Sequence, residues 1–223
     1  MNRFFFRELL ANNSDVLRES FAFNPKERPV EPMPEGGLWD AARRCPDLSR
    51  IWARRHPQDY SPDTAPYWDF TQDSHRLAFM TPEALTLLAR LAAAAVFAPE
   101  IAATVLKTDI EPLRAFLGRD ICNWALTRGR WQIGALRAPL AAAASGISLE
   151  QKCASLARLM LEAVRAGWPE ALYTRTQSLF AALDLPDAYD APALDPGLRD
   201  ALWYFLKKLI VRELDKQWQP YFD

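Results

Sequence analysis

The stretch Arg76–Gly134 limits the fold more than any other part of the chain. It reads RLAFMTPEALTLLARLAAAAVFAPEIAATVLKTDIEPLRAFLGRDICNWALTRGRWQIG. Apolar residues recur through it at spacings of three and four, and Pro or Gly interrupts it at short intervals. A strand turns a side chain to the opposite face at every step, so this period predicts several short helices folded back on one another.

The cues for individual helices are local. Thr81 is placed to cap a helix, with Pro82 at its first position and Glu83 favourable to the dipole. Leu85, Leu88, Leu91, Ala92, Ala95 and Val96 then share an apolar face. Pro99 restarts the chain for a short helix through Lys107, Asp109 is expected to cap the next, and Gly118 ends it. A further helix covers about Asp120 to Arg128, and the Ala-rich run from Trp131 to Ala144 is expected to break at Pro139. Ser148-Leu-Glu-Gln151 is a capping box. It opens an amphipathic helix with Leu149, Cys153, Leu156, Met160 and Ala163 on one face and Gly167 as the stop. Pro169 begins a helix to about Leu183. Asp195 and Pro196 begin a long final one to about Trp218, with Leu198, Leu202, Phe205, Leu206 and Leu209 as its buried stripe. Tyr204 and Val211 fall on the back of that helix and predict a second packing layer, with a partner surface as the other reading.

Composition divides the chain. It has 17 prolines against 8 glycines, and prolines crowd the first 70 residues. NPKERPVEPMPEGG, starting at Asn24, lacks donors at each Pro and predicts an extended loop. Residues 1–70 thus read as a Pro-rich segment with short helices, closed by Tyr67, Trp68 and Phe70 as anchors on the body. Residues 71–223 read as the helical core domain. No hairpin-bounded alternation and no fixed repeat of about 34 residues occurs. The fold class is all-α, an irregular multi-helix single core with a Pro-rich N-terminal segment.

Several function classes find no support. Lys and Arg total 27 and Asp and Glu 28, without the basic excess typical of a nucleic-acid binder. The most hydrophobic run, Ala84–Ala98, contains Arg90 and falls short of the roughly 20 residues needed to span a bilayer. Arg7 and Glu8 interrupt any signal-peptide core near the start. The odd count of Cys45, Cys122 and Cys153 fits a reducing compartment. His56 and His75 are too few, with these thiols, to complete a tetrahedral metal set, and read as surface histidines. A nucleophilic pair drawn from Cys45 and His75 requires an assumed tertiary contact, and small buried thiols are the simpler reading. Phosphate-binding glycine motifs are missing, and Asp187 and Asp190 sit in a loop that reads as solvated. No cofactor, metal or catalytic residues are assigned.

Two arginine patches stand out. One holds Arg43, Arg44, Arg50, Arg54 and Arg55 with Trp52 among them; the other holds Arg128, Arg130 and Arg137 with Trp131. Planar guanidinium forks and large rings suit protein interfaces. Nucleic acid is a competing reading, and a solvated helix face with one packed Trp is the third.

The opening stretch also resembles the SctK/YscK family, accessory proteins of bacterial type III secretion. The resemblance lies in Arg76-Leu-Ala, in TPEALTLLARLAAAAVFAPEIAATV from Thr81 with its Pro99-Glu-Ile101, in LRAFLG at Leu113–Gly118, and in WQIG at Trp131–Gly134. Phe21-Ala-Phe-Asn-Pro25 is similar to the family's N-terminal region, but the Tyr-His pair that often follows there is missing. Beyond residue 140 the likeness is one of helical character only. The resemblance implies a non-enzymatic adaptor of the cytosolic sorting platform, peripheral to the inner membrane through its partners. Those partners would be the cytoplasmic domain of an SctD-like inner-membrane ring protein and an SctQ-like pod protein, without nucleic acid or direct membrane insertion. A helical small-ligand-binding protein or enzyme with an apolar pocket is the alternative.

Overall fold

A computed structural model describes residues 67, 69–104, 107–186 and 195–222. Asp69 onward belongs to one compact unit. Among the described residues the regular structure is helical throughout. The chain passes through a 3-10 turn at Asp73–Phe79 and then α1 (Pro82–Val96), α2 (Ala98–Ala103), α3 (Lys107–Leu117) and α4 (Arg119–Thr127). Short 3-10 turns at Gly129–Trp131 and Gly134–Leu136 lead to α5 (Arg137–Ala143) and α6 (Leu149–Arg165). Then come α7 (Glu170–Arg175), α8 (Gln177–Ala181), α9 (Pro196–Glu213), a 3-10 turn at Lys216–Trp218 and α10 (Gln219–Phe222).

α1 is the axis of the domain. Thr81 Oγ1 accepts from the Ala84 N–H, and Pro82 fills the first turn as the sequence predicts. Alanines 89 and 92–95 are all buried, together with Leu85, Leu88, Leu91 and Val96. From Leu91 to Val96 the helix is apolar on every side and buried on every side, whereas Glu83 and Leu87 in its first half are exposed. Around α1 pack α6, α9, α4 and α3. Alanine adds little bulk, so these neighbours approach closely.

α6 has both halves of its capping box. Gln151 N–H donates to Ser148 Oγ at 3.1 Å, and Gln151 Oε1 accepts from the Ser148 N–H at 3.3 Å. Its buried face carries Cys153, Leu156 and Met160, with Leu149 and Ala163 half-buried at the margins. Each fully buried Leu or Met there is worth about 1.5–3 kcal/mol relative to exposure.

Some boundaries differ from the sequence reading. α3 begins at Lys107, so Asp109 lies inside the helix rather than capping it. Pro139 does not break its segment: it occupies the first turn of α5, where a backbone N–H has no helical acceptor in any case. The single helix expected from Pro169 to Leu183 is two, divided at Thr176. Thr176 is buried, and its Oγ1 donates to the Leu172 carbonyl at 2.9 Å and the Tyr173 carbonyl at 3.1 Å. α9 stops at Glu213 instead of running to Trp218; Asp215 then caps the next turn by accepting from the Gln217 N–H at 3.0 Å.

His75 and Arg76 are buried, against the expectation of surface histidines. His75 Nδ1 lies 3.0 Å from the Asp69 carbonyl oxygen. Arg76 donates to the carbonyls of Phe70 (3.0 Å) and Tyr221 (2.8 Å) and pairs with Asp73 at 2.9 Å. Burial pulls this guanidinium down from its ordinary pKa, and Asp73 opposes that shift. Arg76 thereby ties the entry turn to α10 across 145 positions of sequence.

Candidate functional site

The patch of Arg128, Arg130, Trp131 and Arg137 is assembled, and its geometry follows from the glycines around it. Gly129 lies against the buried ring of Trp124, where a Cβ would come within 2.6 Å of the ring carbons. Only glycine lets the chain turn so close to Trp124. Gly134, at φ +55°, reverses the chain after the buried Ile133. Held between these two points, Trp131 projects outward and is 73% exposed.

The surrounding polar contacts fix that presentation. The Arg130 guanidinium stacks over the Trp131 ring, 4.5 Å from its centroid. Arg137 Nη2 donates to the Arg130 carbonyl at 2.6 Å. Glu213, whose side chain is only 8% exposed, accepts from Gln132 Nε2 at 2.9 Å and pairs with Arg128 at 3.5 Å. The patch therefore joins the turn after α4 to the C-terminal end of α9. Of the three guanidinium groups only that of Arg128 pairs with Glu213, which leaves the surface cationic around an exposed indole.

The other predicted patch, Arg43, Arg44, Arg50, Trp52, Arg54 and Arg55, lies outside the described residues, as do Cys45 and His56.

Sequence reasoning missed a second exposed ring. Tyr204, expected under a second packing layer, is 73% exposed on the outer side of α9. It borders an open cleft of about 540 Å3 between that helix, the entry turn and the residues after α6. The cleft walls come from three segments far apart in the chain, so no local pattern announces it.

Chemistry of other kinds has little to build on among the described residues. No group of three His, Cys, Asp or Glu side chains is placed to hold a metal ion. Cys122 and Cys153 are buried free thiols, and burial raises the pKa of both. A thiol shifted that way is a poor nucleophile near neutral pH. Among the described residues no helix is long and apolar enough to cross a membrane.

Comparison with protein-family models, with curated proteins and with solved structures finds no match to this chain.

Proposed function

We propose that this chain is a non-enzymatic adaptor of a bacterial type III secretion system. It would link the cytoplasmic domain of an SctD-like inner-membrane ring protein to an SctQ-like pod protein of the sorting platform. The resemblance of Arg76–Gly134 to the SctK/YscK family supplies the system. The observation that carries the binding role is the Trp131 surface. An exposed indole stacked under one arginine and flanked by two more is a costly thing to leave in water, and it is the composition of an interface centre. Its cationic rim fits an acidic partner surface and makes binding salt-sensitive. In this reading the protein works in the cytoplasm, at the inner membrane through its partners alone.

The alternative of a small-ligand binder or enzyme draws on the cleft beside Tyr204. Its walls mix charged and aromatic groups and stand open to solvent, whereas a small-molecule pocket is enclosed and mostly apolar.

The test is a binding titration of the full chain against the soluble cytoplasmic domain of the ring protein, repeated with the pod protein. Saturable binding to at least one is expected, and W131A with R130E should weaken it by at least about tenfold, the effect of losing an interface anchor. A folded chain that binds neither protein sinks the adaptor reading. Binding that ignores the double substitution removes this surface from it.

A further inference from the structure

The cleft beside Tyr204 is separate from the Trp131 surface. Tyr204 and Glu213 are nine residues apart on α9, which places them about 14 Å apart along its axis. Arg199, Trp203, Tyr204 and Lys207 follow at helical spacing and share one side of α9, facing Asp73, Gly167 and Trp168. From Arg199 to Lys207 this wall is about 12 Å long. That length matches three or four residues of extended chain at roughly 3.3 Å each.

The charges in the cleft are unevenly satisfied. Lys207 Nζ pairs with Asp73 Oδ2 at 2.5 Å, and the other oxygen of Asp73 takes Arg76 at 2.9 Å. Asp73 is thus occupied by two cations. Arg199 is left over: half-buried, its side chain makes no hydrogen bond or ion pair among the described residues. Its Nη1 lies over Gly167, so close that a Cβ there would stand 3.0 Å away. Beside it the wall is aromatic. Trp168 is buried and packs edge-on against Phe180 at 5.8 Å. Trp203 is half-buried and rests against Phe222 at 6.0 Å. Tyr204 stands free in solvent.

The geometry points to a docking groove for a short segment of another protein, one that sets an acidic side chain on Arg199 and an aromatic or large aliphatic side chain against Trp203 and Tyr204. A carboxylate matches the planar two-pronged donor of a single guanidinium. A doubly charged phosphate calls for a second cation beside Arg199, and Lys207 Nζ is held on Asp73 Oδ2. Asp200, exposed on the groove's rim, repels a dianion more strongly than a single carboxylate. The paired rings then select what lies next to the acid, because covering Tyr204 removes apolar surface from water. The groove stands independently of the adaptor reading.

The experiment is selection of random dodecapeptides displayed on phage against the full chain. Selected sequences are then measured as labelled free peptides by fluorescence anisotropy. The expected winners carry Asp or Glu beside Trp, Phe or Leu. R199E should weaken them by more than about tenfold, and Y204A by about tenfold. G167A should weaken them severalfold, because its methyl displaces the guanidinium without removing the charge. W131A should leave them unchanged. Selection of no peptides, winners without an acidic residue, or full affinity in a folded R199E protein would each overturn the groove. Displacement of the peptide by millimolar inorganic phosphate would overturn the choice of a protein segment and identify a simple anion site. If R199E does not fold, G167A decides between the same outcomes.

Discussion

Trp131 and Tyr204 are equally exposed, yet the molecule presents them in opposite ways. Trp131 stands on a 3-10 turn whose shape is dictated from below. Trp124 leaves room only for Gly129, Glu213 holds Gln132 and Arg128, and Arg130 lies on the indole itself. Tyr204 stands on the middle of an ordinary helix, and the neighbouring cleft is shaped by what faces that helix. The first is a protrusion with its own charges already arranged. The second is the lip of a concavity with one arginine whose side chain has no polar partner among the described residues. An exposed ring alone says little, since isolated surface apolar groups are common. The fixed arginines around one ring and the cleft beside the other give these two their meaning.

The strongest way to break the comparison is to remove the support of the concave side. R76A deletes three contacts of a buried guanidinium at once, to the Phe70 and Tyr221 carbonyls and to Asp73, which keeps Lys207. A loss of about 3 kcal/mol is expected, typical of breaking a buried charged network. Thermal unfolding monitored by circular dichroism reads it, and an unchanged melting temperature would show that the entry turn holds without Arg76.

G129A strikes the other side. Its methyl would sit 2.6 Å from the Trp124 ring, which is packed and has little freedom to yield. Overpacking of that kind costs about 1–3 kcal/mol. Trp131 emission should also change, because the turn that aims it must move. Wild-type stability and an unchanged spectrum would mean that the turn is softer than its contacts imply.

S148A touches neither surface. It removes one half of the capping box of α6 and should cost about 1 kcal/mol. Because α6 packs on both α1 and α9, this variant asks whether general destabilisation alone weakens binding at either site. Peptide and partner affinities equal to wild type, in a protein of lower melting temperature, are the expected result.

The smallest effect on stability is expected from the rings themselves. W131A and Y204A should each lie within about 0.5 kcal/mol of wild type, as exposed substitutions usually do. Destabilisation of either by more than that would make its ring a structural element and weaken the case for binding there.

The fold was more legible in the sequence than either surface. Thr81-Pro82-Glu83 and Ser148–Gln151 mark their helix starts because capping depends on side chains a few positions away. The stripes at Leu156 and Met160 and at Leu202, Phe205 and Leu209 identify their buried faces for the same local reason. The break at Thr176 was not legible: no Pro or Gly marks it, and the threonine stops there as a buried side chain bonded back to the preceding turn. His75 read as a surface residue because nothing beside it in sequence marks its burial, and Arg76 carried no signal of the Tyr221 carbonyl it reaches across 145 positions. The Arg/Trp cluster at 128–137 was visible since its members are near neighbours in sequence. The cleft was not, because Asp73, Gly167 and Arg199 meet only after α6 and α9 have packed.

The alanines of α1 have a consequence for how this protein tolerates mutation. In most cores the dangerous change is loss of bulk, which opens a cavity. Here the central helix holds alanine at 89 and at 92–95 with neighbours packed against each. A single base change in an alanine codon yields Gly, Ser, Thr, Pro, Val, Asp or Glu, and every one except Gly is larger. Random drift therefore pushes this helix toward crowding or buried polarity, both costly. The middle of α1 should be among the slowest-changing parts of the chain over generations, although its buried alanines are themselves exposed at neither of the surfaces assigned to binding.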